Sequence, residues 1–262
     1  PSPFPPPPPL PPPTPPPRLG CDSVQIFAFY ELGQHHLNVA CPDALLEVLV
    51  VAGGGGGGGA HADHASGGGG AGGLIHTTSF QANGTEVIPL FVGRGGSGGS
   101  ANSPGTNGQD SSFGDLVAVG GGFGGSKSPA GDGGSGGGGD SNPDALILTV
   151  SGGQGKGSMG NAGGDALDLG TAGTGGGGGG AGGPGGNGGI KDGGVGGPGL
   201  LYDTSGVLQC YAGGGGGASR KELRGAEGGA CCTEGQHCSS GGRAGLQVQG
   251  KDAVDGQNGV DG

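Results

Sequence analysis

The segment HADH sets His61 and His64 three residues apart with Asp63 between them, the closest the sequence comes to a metal-binding pair. His35, His36, His76 and His237 are the remaining histidines, and none can be placed against that pair from spacing. A catalytic zinc needs three protein ligands, so HADH reads as a polar loop tip between two glycine runs, with His61 and His64 kept only as metal candidates. The carboxylates Asp252, Asp255 and Asp261 in GKDAVDGQNGVDG lack the spacing and terminal Glu of a calcium loop and read as a solvated tail. GQGKGS at 153–158 offers Lys156 to a phosphate, but Gly157 intervenes before Ser158, and a P-loop requires Lys followed directly by Ser or Thr. There is no G-x-S-x-G elbow with a plausible His and acid partner. With no nucleophile–base pair to argue from, the expectation is a non-enzymatic protein without a cofactor.

Two covalent modifications have better support. Asn83-Gly84-Thr85 is an N-glycosylation sequon, and it reads equally as a plain Asn-Gly turn between two strands. Six cysteines, an even number in a chain with little apolar material, point to disulfides and an oxidising compartment. Cys21 and Cys41 flank one hairpin-like segment and are expected to pair. Cys231 and Cys232 are adjacent and are not expected to pair with each other. That leaves Cys210–Cys231 with Cys232–Cys238, or Cys210–Cys232 with Cys231–Cys238.

The elements that must carry these residues are unusual. The 262 residues include 79 Gly and 20 Pro, 12% are charged, 4% are aromatic and none is Trp. That is too little Leu, Ile, Val and Phe for a conventional core of this length. Glycine loses more backbone entropy on folding than any other residue. An ordered run such as Gly53 to Gly59 must therefore be held by many backbone contacts. Polyproline II helices packed side by side supply them: each has three residues per turn and no internal hydrogen bonds, so its N–H and C=O groups are free to pair laterally. Collagen is excluded, because no strict Gly triplet is kept and thirteen of the prolines fall in the first 17 residues. The net charge of −11 with no Lys/Arg cluster lacks the footprint of a nucleic-acid binder. No apolar run approaches the roughly 20 residues of a membrane span. The first residue, Pro1, is not Met, which fits a processed mature protein and a secreted location.

Residues 1–17, PSPFPPPPPLPPPTPPP, predict a stiff polyproline II arm. At about 3.1 Å per residue it would reach roughly 50 Å. That is close to the roughly 45 Å diameter of a compact domain made from the rest of the chain. Residues 18–262 predict one domain in which apolar β segments alternate with glycine blocks. The expected strands are VQIFAFYEL, HHLNVAC and ALLEVLVVA within 21–52, LIHTTSFQ and EVIPLFVG around a turn at ANGT, and a short strand in SSFGDLVAVGGGFGG. DALILTV, LLYDTSGVLQCYA and, more weakly, AGLQVQG follow the same grammar. Pro42 and Asp43 mark a turn. The fold class is therefore mainly β: a small β-sandwich combined with a glycine-rich polyproline II bundle and little or no α-helix.

The runs LLEVLVVAGGGGGGG, GGGGAGGLIHTTSFQANGTEVIPLFVGRGGSGG and NGQDSSFGDLVAVGGGFGG resemble an extracellular glycine-rich domain. It is found in phage tail-tip adhesins, in bacterial surface proteins and in the ectodomains of anaplastic lymphoma kinase and its leukocyte relative. The matching steps are Val48 to Gly59, Leu74 to Phe80, Val87 to Gly96 and Ser111 to Gly125, within a similarity spanning roughly residues 22–220. The resemblance implies a β-sandwich bearing a polyproline II lattice, with recognition or scaffolding as its task. The arm departs from that family and resembles hydroxyproline-rich segments of algal and plant extracellular glycoproteins. By that likeness Pro5, Pro6, Pro7, Pro8, Pro9, Pro11, Pro12, Pro13, Pro15, Pro16 and Pro17 are candidates for hydroxylation and short O-glycans, with Ser2 and Thr14 as further O-glycan candidates.

These features lead to the expectation of an extracellular, glycosylated, homopolymeric fibre whose subunits dock their Pro-rich arms onto neighbouring copies. The rival expectation is an adhesin that binds its ligand through loops at the end of the glycine bundle, at residues 60–66 or 126–143. A third, ice binding by a flat face of the bundle, has less behind it.

Overall fold

The computed structural model describes residues 18–19, 24–41, 43–59, 64–82, 86–141, 149–169, 173–219 and 229. The described chain is mainly β, with one short 3-10 turn at Gly157–Met159 as its helical element. The strands are β1 (Arg18–Leu19), β2 (Gly33–Val39), β3 (Ala44–Val51), β4 (Leu74–Ala82), β5 (Glu86–Val92), β6 (Ser111–Phe113) and β7 (Leu116–Ala118). They continue as β8 (Thr149–Val150), β9 (Ala166–Asp168), β10 (Gly173–Thr174), β11 (Leu200–Tyr202) and β12 (Gln209–Tyr211).

Two sheets enclose the apolar core. One has the order β1-β2-β5-β6-β7 and the other is the hairpin β3-β4. Alternation along the strands sends one set of side chains inward. These are Leu37 and Val39 of β2, Val48 and Val50 of β3, Ile88, Leu90 and Val92 of β5, Phe113 of β6 and Ala118 of β7. Phe80 of β4 meets Phe113 edge to face at 5.1 Å between centroids, tying the sheets together. β4 carries one extra residue between Thr77 and Phe80, so Ile75 before it and Phe80 and Ala82 after it all pack on the core, while β3 alternates without interruption. Pro89 sits in a central strand, where a missing N–H is normally costly. Here β6 pairs only with Leu90 and Phe91, so the ladder on that side ends beside the proline.

Two sequence expectations are corrected. VQIFAFYEL is not a strand: residues 24–30 pair with no ladder, although Phe27 and Phe29 still pack on the core. SSFGDLVAV is two strands, not one. Gly114, at φ +58, turns β6 into β7, and its hydrogen bond from N–H to Pro89 O at 2.9 Å anchors the corner. At the expected Pro42–Asp43 turn, Asp43 has φ 55, and LLYDTSGVLQCYA, read as one β segment running into glycine, holds two short strands, β11 and β12, paired antiparallel. β9 and β10 were not foreseen. The ANGT turn, AGLQVQG, and all of DALILTV before Thr149 lie outside the described residues.

At one end of the sandwich the strands run directly into glycine. β3 leads to Gly53, β5 to Gly93 and β7 to Gly120, while β4 emerges from Gly73. These segments are extended, buried and bonded to one another with a three-residue period. Gly53, Gly56 and Gly59 donate to the carbonyls of Gln109, Thr106 and Ser103, each at 3.0 Å. Gly55 and Gly58 donate to Gly70 and Gly67, and Gly68 and Ala71 to Gly176 and Gly179. The backbones lie so close that an added Cβ has nowhere to go. At Gly67 it would stand 1.8 Å from Gly138 O, and at Gly59 1.8 Å from Ser100 O. Backbone hydrogen bonding, rather than apolar volume, holds this half of the molecule together.

Candidate functional site

Three surfaces and one buried cluster are built by this architecture. The cluster lies where the glycine segments end near residue 65. Ala65 N–H donates to Ser141 Oγ at 2.8 Å and Ser141 N–H donates to Ala65 O at 3.0 Å, joining positions far apart in sequence. Ser126 Oγ donates to Gly59 O at 2.8 Å. The Asp140 carboxylate accepts the Lys127 N–H. Ser126, Asp140 and Ser141 are all fully buried. Burial pushes the Asp140 carboxyl up to about 6 and the nearby Asp168 carboxylate pushes the same way; the Lys127 N–H bond and ammonium act against them. The cluster fastens the turn that begins at Ser126, leaving Lys127 exposed at φ 51. Both buried serine hydroxyls are turned to backbone carbonyls, Ser126 Oγ to Gly59 O and Ser141 Oγ to Ala65 O at 3.5 Å.

The first surface is a polar ladder on the outer glycine segments. In 94–100 the exposed positions are Arg94, Ser97 and Ser100, with Gly96 and Gly99 buried between them. The facing segment exposes Ser103, Thr106 and Gln109. Arg94 N–H donates to Gln109 Oε1 at 3.2 Å and Ser97 N–H to Thr106 Oγ1 at 2.8 Å. Ser103 N–H closes the ladder on Ser100 O at 2.9 Å.

The second surface is the outer face of the larger sheet. Val87 and Phe91 of β5 and Val117 of β7 are exposed there, with Pro89 between the first two. The third is a cleft of about 450 Å³ at the sandwich end away from the glycine lattice. Phe80, Ile88 and Leu116 supply its apolar wall, and Ser79, Gln81 and Asp115 its polar rim. Gly114 keeps the cleft open, since a Cβ there would lie 3.3 Å from Phe80 Cζ.

The residues singled out in the sequence are scattered. Cys41, buried at the turn after β2, and Cys210 of β12 are in disulfide form, and no described cysteine is free. Cys21, Cys231, Cys232 and Cys238 lie outside the described residues, as do residues 1–17, His61, Asp63, the sequon at Asn83, His237 and the tail aspartates. His64 is buried, so it is not part of an exposed loop tip. His35 bonds to Glu31 O at 2.6 Å, and His76 bonds to Glu47 Oε1 at 2.9 Å while stacking obliquely on Tyr202. Among the described residues no three His, Cys, Asp or Glu side chains are grouped to hold a metal ion. Nor is any helix among them long and apolar enough to cross a membrane. The buried Asp140–Ser141 cluster was missed from sequence; its only signal is DS following GGGG, which chance could supply.

No curated protein matches the chain. A family model described as a glycine-rich domain matches residues 33–262, that is, both the sandwich and the lattice, and the chain belongs to that family.

Proposed function

We propose that this protein is a non-enzymatic structural subunit of an extracellular, glycosylated homopolymeric fibre, assembled when the Pro-rich arm of one copy docks on the next. The three-residue hydrogen-bond period and lateral pairing of the glycine segments support reading them as polyproline II helices. The carrying observation is the fit of Cβ-less backbones in that lattice. A rod rich in proline and devoid of glycine cannot enter it, because added Cβ atoms would meet backbone oxygens at about 2 Å, as at Gly178 beside Gly69 O at 2.0 Å. A rod of that composition is suited to docking on an outer surface and not within a glycine lattice, and a preformed rod loses little entropy when it does so. A head-to-tail contact of this kind propagates as a filament unless rotation closes it into a ring.

Secretion, hydroxylation of the arm prolines and glycosylation at Asn83 belong to this reading. So does a Cys21–Cys41 disulfide. β1 pairs parallel to β2 with Leu19 opposite Val39, and Cys21 and Cys41 each follow two residues later in the sequence. Neighbouring strands lie about 4.8 Å apart, within the Cα separation a disulfide spans. Cys210 takes Cys231 or Cys232.

Deletion of residues 1–17 tests the reading. The shortened chain is expected to keep its β-type circular dichroism and to sediment as a monomer at concentrations where the full chain forms polymer. Polymer that persists without the arm would contradict it. The adhesin reading draws on the exposed ladder from Arg94 to Gln109 and on the turn at Lys127. Glycan-array binding by the shortened chain, lost on replacing residues 126–132, would favour it instead.

A further inference from the structure

Resting on the fibre reading, we infer that Phe4 of the arm is the anchor of assembly and that the cleft at the lattice-distal end of the sandwich in the next copy is its socket. The direction of the chain sets the polarity. β2 begins at Gly33, opposite Val92, where β5 passes into the lattice, and it runs away from the lattice to Val39. β1 is parallel to β2, so the chain before Arg18 is aimed back toward the lattice end. The cleft lies at the opposite end, beside the Gly114 corner. Arm and socket therefore point apart within one molecule and toward each other in a head-to-tail row.

Length lets Phe4 reach a neighbour. Among the described residues β1 covers only Asn38 and Val39 of β2, and seventeen residues precede Arg18, roughly 53 Å as a polyproline II rod. The β2 edge from Gly33 to Leu37 and the lattice segment Gly53 to Gly59 together span only about 40 Å. The arm is therefore long enough for its first residues, PSPFP, to reach the next copy. Among them Phe4 is the one large apolar side chain, and the arm's only aromatic residue.

The cleft suits it. Phe80 and Leu116 offer an aromatic edge and an aliphatic wall, and about 450 Å³ holds a benzyl group with a flanking proline ring. Ser79 Oγ, Gln81 and Asp115 at the rim can meet polar groups of the incoming backbone. Proline-rich segments are commonly recognised by such aromatic-lined grooves.

The test uses the full chain with p-benzoylphenylalanine in place of Phe4, assembled from a mixture of isotope-labelled and unlabelled copies and irradiated. The expected product joins a labelled to an unlabelled chain, with the cross-link mapped to residues 77–81 or 114–116. Phe4→Ala, and separately Ser79→Trp, which fills the cleft from its exposed rim, are each expected to raise the concentration at which filaments appear at least about tenfold. If deleting the arm stops filaments while both substitutions leave them intact, or if cross-links form within one chain or elsewhere on the neighbour, the assignment of Phe4 to the cleft is overturned and the fibre reading survives. If the unaltered chain forms no filaments at all, both fall.

Discussion

Replacing Gly178 with alanine is expected to destabilise the protein by at least about 3 kcal/mol, the upper range for forcing extra atoms into a packed interior. The new Cβ would stand 2.0 Å from Gly69 O and 2.4 Å from its carbonyl carbon, distances that real Cβ atoms do not reach. A flexible side chain could swing away; a backbone carbonyl held in the lattice cannot. Gly178 itself donates to Gly215 O at 2.8 Å and accepts from Gly197 N–H at 2.8 Å. Any shift that admits the methyl group loosens both bonds and passes the strain to two further segments.

Gly189→Ala is the matched control, with the opposite sign. Its Cβ would meet nothing nearer than Asp192 O at 3.4 Å, an ordinary contact at an exposed position. There alanine restricts the unfolded chain and is expected to stabilise by about 0.4–1 kcal/mol. Urea denaturation of the two variants checks the contrast. Equal effects would mean that the close approach of backbones does not hold this half of the fold together.

Asp140 gives the second large effect. Its carboxyl is raised from 3.8 to about 6 in the folded protein, chiefly by burial. Between those values the folded state keeps a proton that the unfolded state has released, so stability falls as pH rises from about 4 to 6, and the penalty is fully present above that. At about 1.4 kcal/mol per pKa unit it amounts to roughly 3 kcal/mol. Asp140→Asn keeps an oxygen to accept the Lys127 N–H and removes the charge. The asparagine variant is therefore expected to gain on the native chain by about that amount between pH 4 and pH 7.5, read from denaturant midpoints at both values. A difference that does not change with pH would show that the buried carboxyl is not held protonated.

How much of this was legible depends on what carries each element. Strands such as ALLEVLVVA and EVIPLFVG could be read because an apolar run ends abruptly at glycine, and the structure breaks them within a residue of that point. The segment 24–32 has the same apolar content, yet Phe27 and Phe29 reach the core without the backbone joining a ladder. Composition reports burial there and not pairing. The β6–β7 corner had a signal in Gly114-Asp115, masked because the apolar residues on both sides read as one run. The order in which glycine segments neighbour one another was not readable at all. One glycine run is interchangeable with another, so nothing local says that 53–59 bonds to 103–109 on one side and 67–70 on the other. The polar cluster was hidden for a related reason: Ala65 and Ser141 meet only because the lattice brings them together.

The division of labour that results is physically coherent. A rigid, hydrogen-bonded lattice with no side chains to repack makes a stiff strut, and the sandwich supplies edges and a cleft at its far end. On the proposed fibre reading, such a body bears load along a row of copies.

Electron microscopy of the full chain, purified from its native source without tags, tests that account most directly. It predicts regular filaments whose axial repeat is close to one domain diameter, with density for the arm bridging each pair of neighbours. Dispersed single particles over the same concentration range would contradict it, and would leave the polar ladder and the Lys127 turn as the surfaces to examine for a ligand.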